Sequence, residues 1–235
     1  MAGMPVHFSP AALKFLRGLA RNNDREWFEA RRDVFEREVK ERMLAVIAEI
    51  NDSLAEFAPE HVRDPRKAMF RIYRDTRFSE DKRPYKSHLG AWWVRGGLEK
   101  TSGAGFYFHV SSKETTVAAG CYMPTPDQLL AIRRHMDANY EEIRTILADR
   151  KLKSMMQEWD GEPMKRVPKG FSPDSPAAEL LKCRRWGLSA TLPAELATEP
   201  KLAKEVTRRF KAATPLVQFL NAPLATRSRA DLLSR

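Results

Sequence analysis

The sequence predicts an α+β protein, a central antiparallel sheet with helices at both chain ends packed around it. Three observations predict it. Apolar residues recur at helical spacing from Leu13 to Leu54, the period shortens toward two between Met69 and Met123, and helix-start signals return from Thr125 onward. Ser9 followed by Pro10 reads as N-cap and first helical residue, leading into Leu13, Leu16 and Leu19. Asn23 with Glu26 spells a capping box. Phe28, Phe35, Val39, Met43, Ile47, Ile50 and Leu54 then predict one long amphipathic helix to about Phe57. Candidate strands follow at residues 69–77, 89–95, 105–111 and 115–123, the last two joined by the short polar connection Ser111-Ser-Lys-Glu114. Thr125-Pro126 opens a helix to about Leu147, residues 151–159 read as a short helix, and Ser175-Pro176 starts another. Residues 200–219, punctuated by Thr214-Pro215, read as two helices. The expected organisation is a single domain over residues 1–223 with a basic tail over 224–235.

At 235 residues, 43% hydrophobic and 31% charged, the chain can bury a core without disulfides. Its formal charge of +10 favours anionic partners such as nucleic acid, phosphorylated metabolites or acidic headgroups. The surplus is local. Residues 182–235 carry 11 Lys or Arg against 4 Asp or Glu, whereas residues 21–56 carry 7 against 10. Cys121 and Cys183 stand in unrelated contexts, so neither a disulfide framework nor a CxxC site can be built. The N-terminus lacks a basic region followed by an apolar run, and no segment approaches the roughly 20 apolar residues of a membrane span. The expectation is a cytoplasmic protein with no membrane partner.

Residues 71–86, Arg-Ile-Tyr-Arg-Asp-Thr-Arg-Phe-Ser-Glu-Asp-Lys-Arg-Pro-Tyr-Lys, crowd charges around few apolar side chains. If residues 69–77 are extended, Phe70 and Ile72 face the core while Arg71, Tyr73, Asp75 and Arg77 share the other face. Pro84 biases Arg83 toward extended geometry, and a turn over residues 79–82 brings Lys82 and Lys86 back toward the strand. Guanidinium forks match carboxylates and phosphates. The segment therefore reads either as a cationic pocket or as a brace in which Asp75, Glu80 and Asp81 neutralise the arginines.

The run Phe70 to Lys86 resembles the hallmark of a widespread microbial family catalogued as a domain of unknown function, number 2461. Similar features are Phe15-Leu16 to Asn22-Asn23 with Trp27-Phe28, the sheet segment Gly105–Val110, Ala119–Pro124 leading into Leu129 and Ile132-Arg133, and Pro168–Phe171 before Leu180-Leu-Lys182. The resemblance implies one compact α+β domain over nearly the whole chain. It brings no catalytic residue with it, and Cys183-Arg-Arg-Trp-Gly187 fits the pattern less well.

Weaker signals exclude more than they suggest. Ser79-Glu-Asp-Lys82 spells SxxK, but no Lys-Thr-Gly accompanies it. The five histidines form no HExxH, and there is neither a Walker A loop nor a GxGxxG after a strand, so no metal and no cofactor are expected. In Phe106 to Val110, Tyr107 and His109 fall on one side of a strand and Phe106, Phe108 and Val110 on the other. The reading with most behind it is an anionic, phosphate-bearing ligand bound by Arg71, Tyr73, Arg74, Arg77, Lys82 and Lys86. If the protein is an enzyme, Asp75 or His109 is its general base. Two alternatives stand beside it: single-stranded nucleic acid on a basic and aromatic sheet face, and a non-catalytic interaction module with the motif as ion-pair brace.

Overall fold

The computed structural model describes residues 6–77, 79–97 and 103–225; of the expected basic tail, everything beyond Ala225 lies outside them. The protein is α+β, 52% helical, with a five-stranded antiparallel sheet and helices at both chain ends. Helix α1 (Pro10–Arg21) starts where the sequence places it: the Ser9 hydroxyl accepts from the Ala12 amide at 3.3 Å and donates to Glu38 at 2.6 Å. The long second helix is broken up. It runs as α2 (Arg25–Glu29), α3 (Arg32–Val34), a π-helical stretch Phe35–Lys40 and α4 (Glu41–Phe57). The extra residue per turn in the π segment keeps Phe35 and Val39 in line with Met43, Ile47, Ile50 and Leu54, all buried. Asp24, not Asn23, caps α2, accepting from the Trp27 amide at 2.8 Å.

After α5 (Pro65–Ala68) come β1 (His88–Val94), β2 (Gly105–Ser111) and β3 (Glu114–Cys121), then α6 (Pro126–Ala138), α7 (Tyr140–Ala148) and α8 (Arg150–Met155). Two strands that the sequence conceals follow. These are β4 (Glu158–Asp160), which takes Trp159 out of the expected helix, and β5 (Trp186–Pro193), with the short α9 (Ala178–Leu181) between them. The sheet order is β1-β2-β3-β5-β4, so β5 is an interior strand. A single helix α10 (Leu202–Ala225) replaces the expected C-terminal pair. Pro215 lies inside it, where the buried faces of Phe210, Ala213, Leu216, Val217 and Leu220 outweigh the lost backbone bond, and Thr214 donates to the Phe210 carbonyl at 2.9 Å.

Contacts cluster the chain into two units. The first comprises the residues up to Trp93 with 107–117 and 191–208. Its core stacks Phe28 on Tyr85 with centroids 4.2 Å apart, beside Phe15 and Phe35. A buried polar link runs from the Trp93 indole to Asn51 at 2.9 Å and from Asn51 to the Arg63 carbonyl at 2.6 Å. The second unit comprises residues 94–106, 118–190 and those from 209 on. In it Phe106 packs on Phe210 at 4.9 Å, and the Asn221 amide clasps the backbone of Ala104 through two hydrogen bonds of 2.9 Å. Gly120 in β3 has φ +139°, and a Cβ there would collide with the Trp186 carbonyl and lie 2.7 Å from Gly187 Cα.

Strain at a glycine-only backbone angle adds to overpacking at Gly120. Gly120→Ala should therefore lower the free energy of unfolding by about 3 kcal/mol or more, measured by urea denaturation; a loss below about 1 kcal/mol is the contrary result.

Candidate functional site

The 71–86 segment is held by backbone pairing at the free edge of β1, in the first unit. The Phe70 amide donates to the Gly90 carbonyl at 2.8 Å, the Arg74 amide to Pro84 at 2.9 Å and the Lys86 amide to Ile72 at 2.8 Å. Isolated bridges pair Met69 with Ala91 and Tyr73 with Tyr85. The expected strand is thus two bridged patches rather than a continuous ladder, and of the two residues expected to face the core Ile72 does so while Phe70 is only half-buried. Ile72 is buried, while Arg71, Tyr73, Asp75 and Arg77 are all exposed. Because the bonds around the Tyr73–Tyr85 bridge run between 74 and 84 and between 86 and 72, the amide and carbonyl of Tyr85 point outward. Asn23 meets both: its Oδ1 accepts from the Tyr85 amide and its Nδ2 donates to the Tyr85 carbonyl, each at 3.0 Å.

The aspartates are occupied in a repeated local pattern. In Asp75-Thr-Arg77 and Asp81-Lys-Arg83 the carboxylate accepts from the amide two residues on, at 3.2 and 3.1 Å, and from that same arginine's fork. An Asx-type turn and a bidentate pair coincide. The side-chain bond from Arg77 holds the Asp75 carboxyl at about 2, and Arg83 with Arg74 holds Asp81 lower still. Arg74 reaches across to Asp81 at 2.5 Å, tying the two arms together.

A cavity of about 410 Å³ opens beside this brace, lined by Arg74, Asp75, Lys86, Ser87 and His88. Of the predicted ligand residues, only Arg74 and Lys86 reach it. Arg77 is turned to Asp75, Lys82 donates to the Thr76 carbonyl at 3.1 Å, and Tyr73 packs on Tyr85 and Phe28 with its hydroxyl bonded to Arg32. Arg71 is exposed and adds a Coulombic pull on Asp75. Lys86 lies 5.2 Å over the Phe70 ring. Asp75 lines the cavity, but a carboxylate so acidic is a weak base.

Ser87 and His88 are lining residues that the sequence reading missed. Their signal was position: they follow directly on the motif, and His88 opens β1 beside His109 on β2. The two imidazoles stack with centroids 4.7 Å apart. Behind them, His109 Nδ1 and the Tyr107 hydroxyl share a hydrogen bond of 3.1 Å, and Nε2 comes within 3.8 Å of Glu114. A Cβ at Gly90 would lie 3.0 Å from that hydroxyl and 3.2 Å from His109 Cβ, so the glycine leaves the pair its room. Burial, helped by the charge of a protonated His88, pushes His109 down to about 4. Burial followed by the charges of Lys86 and Arg74 lowers His88. At neutral pH both rings are therefore neutral and the approach to half-exposed Glu114 is not an ion pair. The thiols offer no nucleophile: Cys121 and Cys183 are buried, and burial pushes Cys121 up to about 12. Among the described residues no group of three His, Cys, Asp or Glu converges as metal ligands.

Two outcomes follow. Asn23→Ala strips both partners from the Tyr85 backbone and should cost about 1–3 kcal/mol, measured by chemical denaturation; an unchanged midpoint would remove the clasp from the account. Stability should also depend on pH through the imidazoles. The unfolded chain takes up the His109 proton below about 6.5 and the folded one resists until about 4, with His88 shifted in the same direction, so the His109 contribution to stability is complete above pH 6.5 and is lost as pH falls toward 4. In His109→Gln that stretch of the pH profile should flatten, and a profile identical to wild type is the contrary result.

No curated protein and no solved structure matched the chain. A family model did, described as conserved hypothetical protein (DUF2461), over residues 11–219. That span holds the first helix from its second residue on, the whole sheet and the cavity, and on it the chain belongs to the conserved hypothetical protein family DUF2461.

Proposed function

We propose that the protein binds an anionic, phosphate-bearing ligand in the cavity at the foot of the 71–86 segment, with Arg74 and Lys86 as its cationic contacts and Ser87 and His88 as hydrogen-bonding ones. One observation carries this reading: two cationic side chains converge on a concave surface whose neighbouring aspartates are already neutralised by their own arginines. An anion arriving there meets the Arg74 guanidinium, the Lys86 ammonium and polar donors rather than carboxylates in search of partners. Brace and site divide the motif between them. Asp75, Arg77, Asp81 and Arg83 hold the loop in shape, and Lys86 with Arg74 presents charge to the cavity.

The nucleic-acid alternative draws less support. It needs exposed aromatics beside cations: Tyr107 packs near Trp92 and Phe70, at 6.2 and 6.3 Å between centroids, while exposed Tyr122 does carry the Arg185 guanidinium 4.7 Å over its ring. No helix among the described residues is long and apolar enough to cross a membrane. A cytoplasmic location belongs to this same proposal, supported by two cysteines that are both free thiols.

Methyl phosphate tests the reading by thermal shift. A ligand present at a hundred times its Kd stabilises by about 2.7 kcal/mol, which raises the melting temperature by about 5–10 °C in a chain of this size. Lys86→Met should lose most of that shift, while Arg144→Gln on α7 should keep it. Equal shifts in wild type and Lys86→Met, or none in wild type, would count against the site.

A further inference from the structure

Independently of the anion cavity, we propose that the second unit carries a surface for single-stranded nucleic acid, on which the loop after β4 tracks phosphates and the Trp159 indole stacks a base. The juxtaposition around Cys183 carries this. Arg133 on α6 donates through Nη2 to the Cys183 carbonyl at 2.8 Å. Pro163 faces Cys183 across an isolated antiparallel bridge, and the Met164 amide donates to the Lys182 carbonyl at 2.9 Å, which fixes where the loop departs. Gly161 lets the indole approach the thiol: a Cβ there would lie 2.6 Å from Cys183 Sγ and 2.8 Å from Trp159 Nε1. A buried guanidinium, an indole that is 41% exposed and the root of a cationic loop therefore meet at one residue.

Arg133 is 7% exposed, its Nε has no acceptor and, among the described residues, it forms no ion pair. Buried charges are ordinarily paired, because an unmatched one is costly in a medium of low dielectric. An anion settling beside Cys183 enters the field of this guanidinium, which burial protects from screening. Lys165, Arg166 and Lys169 follow on the loop. All three are exposed and, among the described residues, none of their side chains has a hydrogen-bond or ion-pair partner. The carboxylates nearby are occupied: Asp160 accepts from Arg185 at 2.7 Å, Glu162 lies 3.4 Å from Arg185 and 3.8 Å from Arg184, Glu179 pairs with Lys182 at 2.6 Å, and Glu158 accepts from the Ser189 hydroxyl at 3.1 Å. Cations spread over as much as about 14 Å of chain suit phosphates in a row rather than a single one. The exposed indole selects the kind of strand, since only an unpaired base offers it a face, and stacking tolerates any sequence.

Fluorescence anisotropy on the full chain tests this with a labelled oligothymidylate of about 12 nucleotides that lacks a terminal phosphate. Contact with about three phosphates predicts a slope of log affinity on log salt of about −2. The combined variant Lys165→Gln, Arg166→Gln, Lys169→Gln should bring that slope close to zero, and Trp159→Ala should lose about tenfold in affinity at an unchanged slope. Methyl phosphate at matched ionic strength should leave the oligonucleotide bound, because it addresses the cavity of the first unit. No binding near 50 mM salt, an unchanged slope in the triple variant, undiminished affinity in Trp159→Ala, or displacement by methyl phosphate overturns the surface. A glutamate oligomer of equal charge that binds as tightly assigns the surface to an acidic peptide and overturns the nucleic-acid reading. The salt slope, the methyl phosphate competition and the glutamate comparison are all read on wild type, so they decide even if a variant does not fold.

Discussion

Tyr85 is held from two directions at once, and the geometry of the candidate site depends on it. On one side it bridges Tyr73; on the other its amide and carbonyl are both taken by the side chain of Asn23, 62 residues away in sequence. An unpaired backbone pair at a sheet edge would demand water or another chain. The asparagine amide, one donor and one acceptor on a short stem, substitutes for a further strand. With Tyr85 fixed and its ring stacked on Phe28, Arg74 and Lys86 on either side of the bridge have a defined place to project from. The second unit uses the same device, Asn221 on Ala104.

From that anchor the charges sort themselves by reach. An aspartate followed two residues later by an arginine closes on itself, amide and fork together, and the motif contains this unit twice. Arginines spent in this way keep the loop in shape. Lys86 and Arg74 sit where the chain pairs back toward β1, and that is where the cavity and the two buried imidazoles are. A neutral histidine pair beside cations is a responsive arrangement, because any ligand that changes the local field changes its protonation.

Much of this was legible in the sequence wherever the deciding forces were local. Ser9-Pro10, the Thr125-Pro126 helix start, the alternation of Gly105–Ser111 and the exposure of Arg71, Tyr73, Asp75 and Arg77 all depend on neighbours within a few residues. The failures were long-range. Asn23 spells a cap, and only tertiary structure diverts it to Tyr85. Nothing in Ala30-Arg31 warns that the second helix breaks, since neither residue is a breaker. Pro215 warns of a break that burial overrides. β5 escaped because its outward positions Gly187, Ser189 and Thr191 are small and it follows directly on Cys183-Arg-Arg185, so its alternation looks like a loop. For the site, residue types pointed to the right segment, but which cations reach the cavity depends on side-chain pairing, and His88 joined it through strand register.

The most direct test is a nuclear magnetic resonance titration of the wild-type protein with inorganic phosphate at constant ionic strength. The account predicts saturable shifts concentrated in the amides of Arg74, Asp75, Lys86, Ser87 and His88 and in the imidazole signals of His88 and His109. Shifts centred elsewhere, or none that saturate, would contradict it.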